Sequence, residues 1–321
     1  MALPAELEAR LRLPLIGAPM FIVSVPDLVI AQCKAGIIGA FPALNARPQE
    51  KLDDWIRQIK EELAAHSAAH PDEPVAPFAV NQIVHQSNTR VYADMETCVK
   101  HEVPIIITSL RPPGEVVEAV HGYGGLVFHD VISLRHAQKA MEQGVDGIIA
   151  VCAGAGGHAG TLSPFALVKE IRREFDGAII LSGAMSNGGD VLAARAIGAD
   201  LAYLGTRFIA TEEANALPGY KEMIVDCAAA DIVYSSLFSG VHGNYLKPSV
   251  AKAGYDPDDL PTGSKDLMDF AKGEKNEAKA WRDIWSAGQG VGSIGEILPT
   301  RDLVLQLEAE YEATRRRLCA G

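Results

Sequence analysis

The chain has 321 residues, of which 48% are hydrophobic, and it carries a formal net charge of −12 at pH 7. A chain of this length can bury one large core, or one core with an appended subdomain. The acidic balance argues against nucleic acid and against anionic membranes as partners of the whole surface, although backbone N–H groups can still bind an anion locally.

No apolar run reaches the ~18 residues that suggest a membrane span, and the first residues lack the pattern of a signal peptide. The odd number of cysteines and the absence of a Cys-x₂-Cys spacing predict reduced thiols and no metal site. We therefore expect a cytoplasmic protein. The cysteines are Cys33, Cys98, Cys152, Cys227 and Cys319.

In chain order, short apolar runs alternate with longer helical patterns such as Gln49–Ala69, Leu134–Gln143 and Ser163–Phe175. Most of the short runs are continuously apolar, which is typical of parallel strands covered on both faces. The predicted strands are Leu15–Ala18, Gly36–Phe41, Ala76–Asn81, Val103–Thr108, Gly125–His129, Asp146–Val151, Ala178–Ser182 and Leu201–Gly205.

This alternation predicts an α/β fold of the (β/α)₈ TIM-barrel type. A weak internal repeat supports it, because two helical patterns end at Gly144 and Gly198 immediately before a buried strand opens. Strands joined by right-handed crossovers then close into a barrel. A doubly wound open sheet is the alternative, but no Gly-x-Gly-x-x-Gly follows the first strand.

The alternation breaks after the eighth strand. Residues 226–285 contain a glycine- and aromatic-rich stretch at 240–248 and a highly charged stretch at 265–279. We predict that 226–285 form an inserted lid or small helical subdomain over the mouth of a barrel built from residues 1–225. Residues 286–321 then return to the barrel and close it with the helix Leu303–Leu318.

A glycine-rich segment with one histidine, Cys152–Gly160, follows the sixth strand. It therefore falls on a β→α loop at the face where barrel active sites lie. The glycines let the backbone approach a ligand, and His158 can accept a proton or donate a hydrogen bond to developing negative charge. A flexible loop with an incidental surface histidine explains the spacing equally well.

The loops after the seventh and eighth strands are candidates for phosphate binding. They are Ser182–Asp190, which opens the helix Val191–Ile197, and Gly205–Phe208. These two loops form the usual phosphate site of this barrel class, and backbone N–H groups with the Thr206 hydroxyl would bind the dianion. Tight turns would also use these glycines, but their pairing on consecutive strands favours the phosphate site.

Three further positions fall at the predicted mouth: Gly17–Met20 after the first strand, Asn81 at the end of the third and His129 at the end of the fifth. Asn81 offers both a donor and an acceptor, which matches the edge of a flavin pyrimidine ring. An asparagine at a strand end is also a common turn former.

Together these motifs resemble the nitronate monooxygenase family, whose fold is shared with flavin-dependent enoyl-acyl-carrier-protein reductases and some NADH:quinone reductases. The resemblance covers nearly the whole chain. Its motifs are Pro14–Met20, Ala155–Gly160, Leu181–Met185, Leu204–Phe208 and Trp285–Gln289.

The resemblance implies FMN as the cofactor of the barrel 1–225 and His158 as the catalytic residue. It implies small alkyl nitronates or nitroalkanes and O₂ as substrates, with carbonyl compounds and nitrite as products. His129, taken from its position at the mouth, completes the cofactor-binding set. The FMN contacts that the resemblance implies are Ala18, Pro19, Met20, Asn81, Gly156, Gly157, Gly183, Ala184, Gly205 and Thr206, with Gln289 near the ring.

The sequence leaves other functions open. An NAD(P)H-dependent FMN reductase acting on quinones or enoyl thioesters would need the same flavin site, with the lid supplying a second binding surface. A non-catalytic flavin-binding barrel and a flavin-free phosphate-binding isomerase are alternatives of other classes. Each of these functions involves small molecules rather than nucleic acid or membrane, and each is compatible with a homodimer.

Overall fold

The computed structural model describes residues 3–263 and 282–320. Within them, parallel strands close into a barrel in the order β1-β2-β3-β4-β5-β6-β8-β9, and pairing of Leu15 with Ala202 joins the last strand to the first. This confirms the predicted (β/α)₈ fold. The barrel strands are β1 (Leu15–Gly17), β2 (Ile38–Pro42), β3 (Phe78–Val84), β4 (Ile105–Leu110), β5 (Leu126–Val131), β6 (Gly147–Val151), β8 (Ala178–Ser182) and β9 (Leu201–Leu204).

Helices connect successive strands on the outside of the barrel, and the last helix packs against α2 and α8. No helix in the described ranges is both long and apolar enough to cross a membrane. The helices are α1 (Ala5–Glu8), α2 (Pro26–Lys34), α3 (Lys51–Ala69), α4 (Val91–Lys100), α5 (Gly114–His121), α6 (Leu134–Met141), α7 (Pro164–Arg172), α8 (Gly188–Ile197), α9 (Thr206–Ile209), α10 (Pro218–Asp226), α11 (Lys247–Lys252) and α12 (Thr300–Cys319).

Side chains of the strands divide between two layers of core. Alternate residues such as Ile16, Ile107 and Ile180 cluster together inside the barrel, while their neighbours pack with the surrounding helices. Inside the barrel, the Phe128 ring packs against Gly147 of the next strand. A Cβ on Gly147 would lie 2.5 Å from that ring, so glycine is the residue that leaves room for it. The continuous apolar runs of the sequence reflect burial on both faces.

Several strands extend further toward the barrel mouth than their apolar runs indicate. β3 continues to Val84 rather than ending at Asn81, and β4 continues to Leu110, paired with Val84. Ser109 and Asp130 belong to these added residues. Backbone pairing between the strands continues here although the side chains face a cavity instead of the apolar core. A prediction from hydropathy alone therefore places the strand ends too early.

The described part of the predicted lid forms strands as well as a helix. β10 (Ile232–Ser235) and β11 (Gly243–Leu246) are antiparallel, and β11 also pairs with a two-residue strand, β7 (Gly157–His158). The β-branched and aromatic residues of β10 suit a strand, and α11 follows β11 directly. The charged stretch 265–279 lies outside the described residues.

Candidate active site

A cavity of about 1140 Å³ opens at the carboxyl ends of the barrel strands. Ligand pockets commonly measure about 300–1,000 Å³, so this cavity has room for a cofactor and a second molecule. All predicted site residues except Gln289 line it. They are Ala18, Pro19, Met20, Asn81, His129, Gly156, Gly157, His158, Gly183, Ala184, Gly205 and Thr206.

Gln289 lies behind the cavity wall. It begins a short 3₁₀ helix, Gln289–Ser293, its backbone N–H donates to the Gly154 carbonyl over 2.9 Å, and its side chain is exposed. A Cβ on Gly154 would lie 2.9 Å from Gln289 Oε1, so this side chain packs on the outside of the loop. Its neighbours Gly288 and Gly290 line the cavity instead.

At one end of the cavity, the loops after β8 and β9 expose backbone. Gly183 and Ala184 have φ values of 147° and 51°, and a Cβ on Gly183 would lie 2.9 Å from the Ala153 carbonyl oxygen. Within the described part of the chain, the N–H groups of Gly183 and Gly205 donate no hydrogen bond to protein. Two neighbouring unused N–H groups can bind an anion.

The Thr206 side chain completes this end. Its buried Oγ1 accepts a hydrogen bond from the Gly288 N–H over 2.8 Å, which leaves the hydroxyl proton for a ligand. A Cβ on Gly205 would lie 3.5 Å from the Met20 sulfur and 3.6 Å from the Ala18 Cβ, in the gap between the first and last loops of the barrel. We call Gly183, Ala184, Gly205 and Thr206 the cradle; its N–H groups and hydroxyl proton are donors of the kind that an anionic group accepts.

Elsewhere in the cavity lining, a chain of hydrogen bonds orients Asn81. Its Nδ2 donates to the Ile107 carbonyl over 3.2 Å and to Ser109 Oγ over 3.0 Å. Ser109 Oγ in turn donates to Asp130 Oδ2 over 2.5 Å. Both amide protons of Asn81 are therefore committed, and Oδ1 is the atom that can accept from a ligand.

Burial shifts the pKa of several groups around the cavity. It raises the pKa of Asp130 to about 6, against the opposing effect of hydrogen bonds from Ser109 and the Leu110 backbone. Burial also raises the pKa of Tyr203, and the charge of Asp130 adds to that shift. Burial lowers the pKa of His129 to about 4, with His136 as a second cause. His129 is therefore neutral near pH 7, with Nδ1 2.8 Å from Thr108 Oγ1.

His158 enters the cavity from β7, which pairs with β11 of the inserted segment rather than with the barrel. Its Nε2 lies 2.9 Å from Ser239 Oγ, and burial lowers the pKa of the imidazole to about 4. The ring is neutral near pH 7 and can accept a proton. The predicted loop histidine is thus half-buried and held in a small sheet.

Positive charge surrounds this site although the whole chain is acidic. Of the described residues that line the cavity, Arg47, Arg111, Lys139 and Arg282 are cationic, and half-buried Asp130 is the acidic one. Such a concentration of one sign of charge in a cleft attracts small anions.

Comparison with known proteins assigns the chain to a family. The family model described as nitronate monooxygenase matches residues 7–310. The chain belongs to the nitronate monooxygenase family. It is 28% identical to a nitronate monooxygenase of Paraburkholderia phytofirmans over 345 aligned positions, which cover 95% of this chain and 94% of that protein. A nitronate monooxygenase of Neurospora crassa is also 28% identical, over 95% of this chain and 91% of that protein.

Solved structures share the same architecture. FabK from Thermotoga maritima superposes with a TM-score of 0.77 at 23% identity, over 99% of each chain. The nitroalkane oxidase from Streptomyces ansochromogenes superposes with a TM-score of 0.76 at 24% identity, over 98% of this chain and all of that one. At these identities the superpositions support the fold, while the family match makes this chain a flavin-dependent oxidoreductase of the nitronate monooxygenase type.

Sequence reasoning missed three groups of this nitronate monooxygenase family site: Ser109, Asp130 and Ser239. Ser109 and Asp130 are polar residues placed directly after buried apolar runs, beside Thr108 and His129, and that signal was present. Ser239 had no such signal, because it lies in an irregular segment 81 residues after the histidine that it contacts.

Proposed function

We propose that this enzyme uses FMN to oxidise small alkyl nitronates, or the parent nitroalkanes, with O₂ to carbonyl compounds and nitrite. One observation carries the proposal: a single cavity is lined both by the cradle at Gly183 and Gly205 and by a half-buried, neutral His158. Such a cavity can hold a cofactor with one phosphate and a small reactant.

FMN, rather than a dinucleotide, matches the cradle. The unused N–H groups of Gly183 and Gly205 and the Thr206 hydroxyl lie on two consecutive βα loops, which is where barrels of this class bind one phosphate. Asn81 Oδ1 would accept from the N–H edge of the flavin ring, because its own amide protons are held by Ile107 and Ser109. When bound, FMN supplies the electron-transfer chemistry.

The protein then has two tasks on the substrate side. Arg47, Arg111 and Lys139 give the mouth a positive field that favours entry of a nitronate anion. His158, neutral at the start, accepts the proton from the carbon beside the nitro group of a neutral nitroalkane, and the imidazolium so formed donates its new N–H to a nitro oxygen of the resulting anion. His129 is neutral as well and adds no charge that would compete for the anion.

Anaerobic mixing tests the proposal directly. The flavin-loaded enzyme is mixed with an alkyl nitronate and, separately, with NADH and with NADPH, while the flavin absorbance is followed. We expect the nitronate to bleach the flavin rapidly and FMN to appear when the cofactor is released by heat and chromatographed. Bleaching by NADH or NADPH alone, or release of FAD, would contradict the proposal.

A flavin-dependent reductase is the second candidate function, and the size of the cavity supports it. At about 1140 Å³ the cavity is larger than the usual range of ligand pockets, about 300–1,000 Å³, which leaves space for a second molecule larger than a nitronate. The enoyl reductase domain of MlnA from Bacillus amyloliquefaciens shares the fold, with a TM-score of 0.73 at 15% identity. Such a function requires NAD(P)H to reduce the flavin, so the same mixing experiment separates the two candidates.

A further inference from the structure

The inserted segment holds the histidine loop by hydrogen bonds on both sides of His158. Asn244 Nδ2 donates to the Ala155 carbonyl over 2.6 Å, and Tyr234 Oη donates to the Ala159 carbonyl over 2.8 Å. The Ala159 N–H donates to the carbonyl of His242 over 3.2 Å. These bonds, with the β7–β11 pairing, fix the backbone that carries His158 relative to the segment after β9.

The side chain of His158 meets a hydroxyl from the same segment. Ser239 Oγ lies 2.9 Å from His158 Nε2, 3.0 Å from the Val241 carbonyl oxygen and 3.3 Å from Tyr245 Oη. A serine hydroxyl has one proton and two lone pairs. Because a carbonyl oxygen can only accept, the Ser239 proton goes to Val241, and the two lone pairs accept from Nε2 and from the Tyr245 hydroxyl.

We propose that Ser239 is a positioning residue that accepts the Nε2 proton of His158 and holds the neutral imidazole in the tautomer whose basic atom is Nδ1. This inference deepens the proposed function and rests on it for the use of His158 in turnover. The tautomer itself follows from the three contacts of Ser239 and is measurable without substrate.

Burial gives this assignment chemical weight. Burial lowers the pKa of His158 to about 4, so the resting ring is neutral near pH 7 and only one nitrogen carries a proton. If the ring exchanged tautomers, Nδ1 would itself carry the proton for part of the time and could not accept one from the substrate. The hydrogen bond to Ser239, itself supported by Val241 and Tyr245, removes that freedom.

Imidazole ¹⁵N spectroscopy of the flavin-loaded enzyme tests the tautomer. The His158 signals are identified by their loss in His158→Asn. We expect the wild type to show a protonated Nε2 and an unprotonated Nδ1. In Ser239→Ala we expect a mixture of tautomers and a kcat for nitroalkane about 10-fold lower, with KM and flavin content unchanged. Ser239→Thr, which keeps a hydroxyl, should restore the wild-type signals.

Ser236→Ala is the matched control. Ser236 lies on the same segment, and its hydroxyl accepts from the Gly263 N–H over 3.2 Å rather than contacting His158. A wild-type ring protonated on Nδ1 would overturn the proposal, even if Ser239→Ala failed to fold. Unchanged signals and kcat in Ser239→Ala would overturn it too. Absence of nitronate oxidation by the wild type would reject the proposed function, while the spectra would still decide the role of Ser239.

Discussion

At the scale of single residues, burial shifts the pKa of groups around the cavity. The pKa of the Asp130 carboxyl rises to about 6 and that of the His158 imidazole falls to about 4. Both shifts favour the neutral form, as desolvation always does. Near pH 7 His158 is therefore neutral while Asp130 is still mostly ionised, so the described cavity lining combines one carboxylate with the cations Arg47, Arg111 and Lys139.

Asp130→Asn should change how stability depends on pH. Because the fold raises the pKa of Asp130 from 3.8 to about 6, its contribution to stability is fully present below 3.8 and is lost as pH rises through 6. The free energy of unfolding of the variant relative to the wild type should therefore increase across this window and level off above it. Denaturant unfolding at several pH values measures the difference; a flat difference would contradict the raised pKa.

His158→Asn should keep the flavin and lose most turnover. Asparagine retains a donor but cannot accept the substrate proton, and loss of a general base commonly costs about 10²–10⁴ in rate. The loss should be larger with neutral nitroalkane than with preformed nitronate. His70→Asn is the control, since His70 is exposed, contacts His66 at the end of α3 and does not line the cavity. Turnover of both substrates within a few-fold of wild type would remove His158 from the mechanism.

At the scale of elements, the loops of the barrel and the inserted hairpin divide the work of the site. The loops after β8 and β9 form the cradle, while β11 holds β7 and thus His158. Close backbone contact makes glycine necessary where β11 pairs with β7, since a Cβ on Gly243 would lie 2.8 Å from the Gly157 carbonyl oxygen. The hairpin is thus part of the structure that holds His158 at the cavity.

Gly243→Ala should impair turnover while leaving the barrel folded. The added methyl group pushes β11 away from Gly157, and crowding of this kind costs about 1–3 kcal/mol. We expect lower kcat with retained flavin and a circular dichroism spectrum like that of the wild type. Gly295→Ala is the control, because a Cβ there meets nothing within 4 Å. Equal kcat in the two variants would argue against the role of the β7–β11 junction.

Thr206→Ala should weaken FMN binding more than folding. The hydroxyl contributes a hydrogen bond to a charged phosphate, which is worth about 1.5–3 kcal/mol, or roughly 10- to 150-fold in Kd. Thr206→Ser keeps that hydroxyl, and with it the bond from Gly288, so it should bind nearly as well as the wild type. Fluorescence titration of FMN into the apoenzyme measures both variants. Full flavin occupancy of Thr206→Ala under dilution would exclude Thr206 from the cradle.

At the scale of the whole molecule, the C-terminal helix secures the closed barrel. α12 packs against α8 and α2, elements from opposite ends of the barrel sequence. Glu310 on α12 accepts from the Gly188 N–H over 2.8 Å, and Thr300 at its start donates its hydroxyl to Glu213 over 2.7 Å. The helix backbones approach so closely that a Cβ on Gly188 would lie 1.9 Å from the Leu307 carbonyl oxygen.

Gly188→Ala should therefore destabilise the entire fold. The methyl group has no space between α8 and α12, so the helices must separate, with an expected loss of about 1–3 kcal/mol in the free energy of unfolding. Chemical denaturation of the variant beside Gly295→Ala measures this loss. If the two variants had equal denaturation midpoints, the interface of α8 and α12 would accommodate the methyl group without loss of stability.

The order of strands and helices was readable from the sequence because parallel barrel strands are buried on both faces and leave continuous apolar runs. The glycine loops with His158 and Thr206 were readable as well, because β→α loops of a barrel converge on one end. Sequence reasoning predicted strand ends less well at Asn81 and Thr108, since the ladder continues where side chains already face the cavity.

Only the tertiary structure decided which side chains meet across long separations. The pairing of Gly243 with His158 and the contact of Ser239 with the imidazole depend on an irregular segment that returns over the mouth, and no local periodicity encodes such a return. The exposure of Gln289 likewise depends on how its 3₁₀ turn is anchored to Gly154. Local patterns record burial and backbone preference, whereas hydrogen-bond partners and shifted pKa values arise from the packing of distant segments.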